Sequence, residues 1–79
     1  MKAKSPLYQQ VAQRMRAFIE SGTWAPGEAI PTEAQLVEEF GVSRVTVRQA
    51  VKLLQEEGLL WKRQGSGTYV QSEKIEHNM

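Results

Sequence analysis

Three residues, Gly41-Val42-Ser43, constrain this chain more than any others, because they interrupt two stretches of helical periodicity with room only for a tight turn. Ahead of them, Thr32-Glu33-Ala34-Gln35 has the form of a capping box, a hydroxyl three residues before a glutamine. Leu36, Val37 and Phe40 then give a short apolar face, which predicts a helix of about two turns ended by Gly41. Beyond the turn, Ser43 is a favourable N-cap, and a longer helix is predicted from Arg44 to about Glu57, stopping at Gly58. Its residues Val47, Ala50, Val51 and Leu54 recur at helical steps and belong to a core face. Arg44, Arg48 and Lys52 recur every four residues on a different face, and Val45, Thr46 and Gln49 lie near the same N-terminal end.

The flanking segments complete a small set of elements. Ser5-Pro6 reads as a helix start, with Ser5 capping and Pro6 at the first helical position. Leu7, Tyr8, Val11, Ala12, Met15, Phe18 and Ile19 form one helical stripe, closed by Gly22. Trp24-Ala25-Pro26-Gly27 is a turn by composition, and Ala29-Ile30 is long enough only for a brief strand. Leu59–Arg63 and Thr68–Val70 are predicted strands, joined by a hairpin turn at Gln64-Gly65-Ser66-Gly67. The fold class is therefore α+β and mostly helical, a winged helix-turn-helix of three helices plus a β-hairpin wing. One domain is expected over residues 1–71, with the helix-turn-helix at about 33–52 and the wing at about 59–70. Residues 72–79 are polar and aperiodic and read as a tail or the start of a linker.

Composition narrows the function classes. A chain of 79 residues supports a single core and no cleft between lobes. With no cysteine there is neither a disulfide nor a thiolate metal site, and His77 stands alone in the tail. No metal or cofactor is expected. The longest apolar run, Leu59-Leu60-Trp61, is far short of the ~20 residues of a membrane span. Residues 1–10 carry no apolar stretch of the kind a signal peptide needs, and the expected location is cytoplasmic. The net charge is only +1, but residues 41–71 hold Arg44, Arg48, Lys52, Lys62 and Arg63 against Glu56 and Glu57. Cationic charge confined to one segment suits a polyanion partner.

That segment has the chemistry for reading duplex DNA. The major groove admits one α-helix, and its base edges carry a distinct donor and acceptor pattern. A reading helix needs forked or bifunctional groups at its exposed N-terminal end. Arg44 and Arg48 can grip guanine edges bidentately, Gln49 an adenine edge, Thr46 offers a hydroxyl and a methyl, and Val45 between them is counted in the same DNA-binding set. Ser43 and the amides at the helix start can hold a phosphate. Lys62 and Arg63 precede a tip of small residues, Gly65-Ser66-Gly67, slim enough for the minor groove, ~6 Å wide. Tyr8, Phe18, Trp24, Phe40 and Trp61 do not alternate with basic residues as a single-strand platform would, and are assigned to the core. An enzyme is not expected, since there is no nucleophile elbow and no phosphate-binding glycine loop. A winged module for protein contacts would share the fold, and the basic set on the third helix favours DNA over it.

Several spaced motifs also resemble a known family. Pro6-Leu7-Tyr8, Pro26-Gly27, Pro31-Thr32-Glu33, the run from Phe40 to Ala50, Glu57-Gly58-Leu59-Leu60 and the run from Gln64 to Val70 are similar to the N-terminal domain of the GntR family of transcription regulators, its HutC branch above all. The resemblance covers residues 6–70. It implies an operator-reading domain of a bacterial transcription repressor, with Ser43, Arg44, Thr46 and Arg48 at DNA-contacting positions and Gly65–Gly67 at the wing tip. Ala34 stands where the family often has a DNA-reaching arginine, so that contact is expected to be lost here. Family members carry a C-terminal domain that binds a small effector and dimerises. On this reading the chain is without it, a small-molecule effector acts only through that absent domain, and residues 72–79 begin the linker to it. The chain is then expected to be a monomer in solution and a pair on a palindromic operator.

Overall fold

In a computed structural model, which describes residues 6–72, the chain runs through α1 (Leu7–Ser21), α2 (Glu33–Phe40), α3 (Arg44–Glu56), β1 (Leu60–Arg63) and β2 (Gly67–Val70). The predicted winged helix-turn-helix is thus observed. The start of α1 corrects one expectation. Pro6 is the N-cap rather than the first helical residue, with φ −56° and ψ 151°. Its ring fixes φ but leaves ψ free, so the extended ψ takes it out of the helix. Its carbonyl accepts from the amides of Gln9 (3.0 Å) and Gln10 (3.2 Å). Ser5, expected to cap, lies outside the described residues, as do residues 73–79 with His77.

The core is one cluster. Val11, Ala12 and Met15 of α1, Leu36 of α2, and Val47, Ala50 and Leu54 of α3 close on one another, with Ile30, Leu60 and Val70 from the loop and hairpin. Helix α3 packs against α1, α2 and β1. Its residue Val51, expected with the core set, packs only partly buried at the cluster's margin. Leu7 is exposed, because the α1 stripe extends a full turn beyond the first core residue, Val11. At the far end of the helices, Arg16 of α1 grips Glu57 with two bonds, Nε to Oε1 at 3.1 Å and Nη2 to Oε2 at 2.7 Å.

The aromatic residues divide. Phe18, Trp24 and Phe40 form a half-buried cluster on the flank of the core, with ring centroids 5.2 and 6.3 Å apart, and Arg14 lies over the Phe40 ring. Tyr8 is half-buried and Trp61 is 39% exposed, so neither fills the core. For Trp61 the pleat gives the reason. Leu60 points inward, so its neighbour must point outward, where it stacks on Tyr69 at 5.3 Å.

The hairpin is antiparallel, with Leu60 opposite Val70, Trp61 opposite Tyr69, Lys62 opposite Thr68 and Arg63 opposite Gly67. Ala29 makes an isolated bridge to Tyr69 rather than a strand. Around it, Gly27 donates to Val70 (2.9 Å), Val70 to Glu28 (2.9 Å) and Ile30 to Thr68 (2.9 Å). The loop before α2 therefore runs as a third lane beside β2 and fixes the base of the wing. Among the described residues, no helix is long and apolar enough to cross a membrane.

Leu54 is fully buried where α3 meets the rest of the core. Leu54→Ala should lower the unfolding free energy by about 2–5 kcal/mol, the usual cost of such a truncation. Urea denaturation followed by circular dichroism should show an earlier midpoint with the same slope.

Candidate nucleic-acid interface

The geometry of the site begins with two helix caps. Thr32 Oγ1 accepts from the Gln35 amide (3.1 Å), and Gln35 Oε1 accepts from the Thr32 amide (2.8 Å), the reciprocal box that the sequence predicts. Gly41 then takes the left-handed conformation, φ 66° and ψ 37°, and donates to the Val37 carbonyl. A residue with a Cβ would be strained there, so glycine is what permits a turn this short. Ser43 caps α3 by accepting from the Thr46 amide (3.1 Å), and its own hydroxyl donates to Thr46 Oγ1 (3.0 Å). The cap thus occupies the Ser43 hydroxyl and ties down Thr46, which is half-buried.

The outward positions of the first two turns of α3 are bare. Arg44, Val45, Arg48 and Gln49 are all exposed, and Lys52 follows one turn further on. Ala34, on the first turn of α2, is also exposed and offers no side-chain donor.

Both arginines converge on Glu33, the first residue of α2. Arg48 approaches it with Nε at 2.7 Å from Oε2 and Nη2 at 3.4 Å from Oε1, and Arg44 Nε lies 3.6 Å from Oε1. The arginine side chains remain 65% (Arg48) and 61% (Arg44) exposed, so the carboxylate aims them without burying them. The hydrogen bond from Arg48 holds the Glu33 carboxyl below its ordinary value, partly opposed by desolvation and helped by the charges of Arg48, Arg44 and Lys62. The same bond raises the pKa of Arg48. In the sequence, Glu33 shows only as an interior residue of the capping box. Its pairing spans eleven and fifteen positions, and no local pattern signals it.

The wing stands beside this cluster. Between α3 and the hairpin opens a groove of about 660 Å³, lined by Glu33, Arg48, Val51, Gln55, Lys62 and Thr68 among others. Lys62 and Arg63, paired in the sequence, separate in space. Alternation along β1 puts Lys62 on the groove side and Arg63 on the side of Trp61. The tip is Gln64-Gly65-Ser66, closed by the Ser66 amide on the Arg63 carbonyl (2.9 Å). Gly65 has φ 76°, and Gly67, expected in the turn, opens β2 with φ 124°. Ser66 Oγ lies 2.7 Å from the Tyr69 hydroxyl, which braces the tip from within.

Known proteins are similar to this chain in sequence and fold. The profile of the bacterial regulatory proteins of the gntR family matches residues 7–70. The mannosyl-D-glycerate transport/metabolism system repressor MngR of Escherichia coli is 53% identical over 74 residues, 94% of this chain and 31% of that protein. The histidine utilization repressor of Klebsiella aerogenes is 46% identical over 72 residues, 91% of this chain and 30% of that protein. The chain therefore spans about three-tenths of the length of these relatives. Among solved structures, the DNA-binding domain of AraR in complex with operator ORX1 superposes with a TM-score of 0.81 at 43% identity, covering 85% of this chain and 81% of that one.

Because the folded-state value of Glu33 lies below the ordinary 4.5, its pairing contributes fully above that pH and is lost as pH falls through the lowered value. In Arg48→Ala the Glu33 carboxyl should titrate at higher pH than in the parent. Carbon-detected NMR of the Glu side chains checks this, and an unmoved Glu33 titration would show that the pair does not persist in solution.

Proposed function

The chain belongs to the gntR family of bacterial regulatory proteins, and on that premise we propose that it reads operator DNA for a transcription repressor, with α3 in the major groove and the wing tip at the adjacent minor groove. The observation that carries this reading is the cluster at the start of α3. Two arginines project from a helix end that the Gly41 turn holds clear of the body, gathered by one carboxylate and flanked by a lysine of the wing. The AraR domain, similar in fold and sequence, is solved in complex with an operator, which supports operator DNA as the partner.

Each residue has a part. Arg44 and Arg48 are the forked donors for guanine edges, and Gln49 suits adenine. When α3 enters the groove, the arginines exchange Glu33 for bases. An exposed ion pair is held weakly enough to allow that exchange. Ser43 and Thr46 serve chiefly by fixing the helix start, whose amides outside the cap would receive a phosphate. Lys62, on the groove side, balances backbone phosphates, and Arg63 reaches them from the opposite face of the hairpin. Gly65, Ser66 and Gly67 form the slim tip. The remaining length of the relatives would hold the effector-binding and pairing functions, and two copies would meet a palindromic operator through it.

Two measurements test the assignment, both on a duplex selected from a random pool with the purified protein. Arg44→Ala and Arg48→Ala should each weaken binding by about 1–3 kcal/mol in anisotropy titrations. The parent's affinity should fall steeply with salt, by counterion release. Parent-like affinity in both variants would remove α3 from the groove. Gly65→Val should impair binding while helix content stays unchanged. No atom crowds a Cβ at that position, so the loss would come from the positive φ that shapes the tip.

A further inference from the structure

Val45 has no evident task in the fold. It occupies the first turn of α3, yet it is 62% exposed and lies outside the core cluster. The cap is built by Ser43 and Thr46, and the buried face by Val47, Ala50 and Leu54. A β-branched residue is also a poor choice for an exposed helix position, since its side chain loses rotamers against the preceding turn. An isolated apolar residue on a protein surface is ordinary. What distinguishes Val45 is its setting, with Arg44 beside it and Arg48 and Gln49 one turn further along the same face. The edges of base pairs in the major groove present one apolar feature, the C5 methyl group of thymine.

We propose that Val45 determines specificity by packing its isopropyl group on a thymine methyl, next to the base pairs addressed by Arg48 and Gln49. The inference rests on the reading of α3 as the groove-entering helix. Guanine and adenine edges are taken by hydrogen bonds from Arg48 and Gln49, and valine adds the recognition that hydrogen bonds cannot supply. The stiffness that makes valine a poor helix former is an advantage here, because its two methyls are already placed and little rotamer freedom is lost on contact. Removing the thymine methyl should weaken binding about four-fold, the worth of one buried methylene-sized group.

The experiment uses the same selected duplex and replaces each thymine in turn by deoxyuridine, which keeps the pairing and removes only the methyl. In the parent, one position under α3 in the half-site should lose about four-fold in affinity. Val45→Ala should bind the thymine duplex about four-fold more weakly than the parent and should no longer distinguish thymine from deoxyuridine at that position. Circular dichroism should show unchanged helix content, since no core contact is removed. If every thymine tolerates the replacement in the parent, or if Val45→Ala keeps the full discrimination, the proposal is overturned while the DNA reading stands. If selection enriches no sequence at all, sequence-specific DNA reading fails and the proposal fails with it.

Discussion

The buried face of α3, made of Val47, Ala50 and Leu54, meets α1, α2 and the foot of the hairpin in one cluster. A domain this small has no second core to fall back on, so α1, α2 and β1 are positioned by contact with that face and β2 through its pairing with β1. The requirement leaves α3 amphipathic in a particular sense. One side must be apolar for the fold to exist, and the other is left free for chemistry at the end that the Gly41 turn exposes. The Arg16–Glu57 pair anchors the opposite end of the same helix to α1, away from the arginine cluster. Packing thereby fixes the direction in which Arg44 and Arg48 project.

Electrostatics then refines what packing has placed. Arg44 and Arg48 would repel one another and swing freely on their long stems if nothing gathered them. Glu33 does so from the start of α2, where a negative charge is also favoured by the helix dipole. The pair is open to solvent, so it restricts the guanidinium groups without trapping them. A polyanion can displace one carboxylate with many phosphates. Lys62 extends the same field across the groove from the wing. The wing in turn is held to the loop preceding Glu33 by the backbone bonds between residues 27–30 and β2. Helix, carboxylate and wing thus form one mechanically continuous unit.

The features legible in the sequence are those whose causes are local. The capping box at Thr32, the turn at Gly41, the cap at Ser43 and the periodicity of Val47, Ala50 and Leu54 each involve neighbours within a few positions, and each stands as read. The exposure of Arg44, Val45, Arg48 and Gln49 is equally visible, because it follows once the core face is known, whereas Thr46 lies half-buried against the Ser43 cap. The partnership of Glu33 with two arginines was not visible, since it depends on how α2 crosses α3. The lane at Gly27–Ile30 was half visible: its bonds are backbone bonds, which no side-chain pattern reports. Trp61 was misread for a different reason. Its size and hydrophobicity argue for burial, but the strand begins at a buried Leu60 rather than at Leu59, and alternation from there turns Trp61 outward. Periodicity is the stronger constraint of the two, because a strand cannot turn two consecutive side chains to the same face.

Along α3 and its cap, scaffold positions and the exposed positions proposed to read DNA interleave without sharing residues. Ser43 and Thr46 hold the helix start, Val47 and Ala50 hold the core, and each has a contact that a substitution would break. Arg44, Val45, Arg48 and Gln49 fill the exposed gaps between them and support nothing in the fold beyond the exposed pairs with Glu33. A change at one of these exposed positions therefore alters the surface the helix presents at little cost to stability, whereas a change at a scaffold position moves every exposed group at once. The separation follows from helix geometry. With 3.6 residues per turn, successive positions fall about 100° apart, and a helix anchored on one face necessarily distributes its exposed residues among its anchors. A surface of this kind can be respecified one side chain at a time while the frame that presents it stays intact.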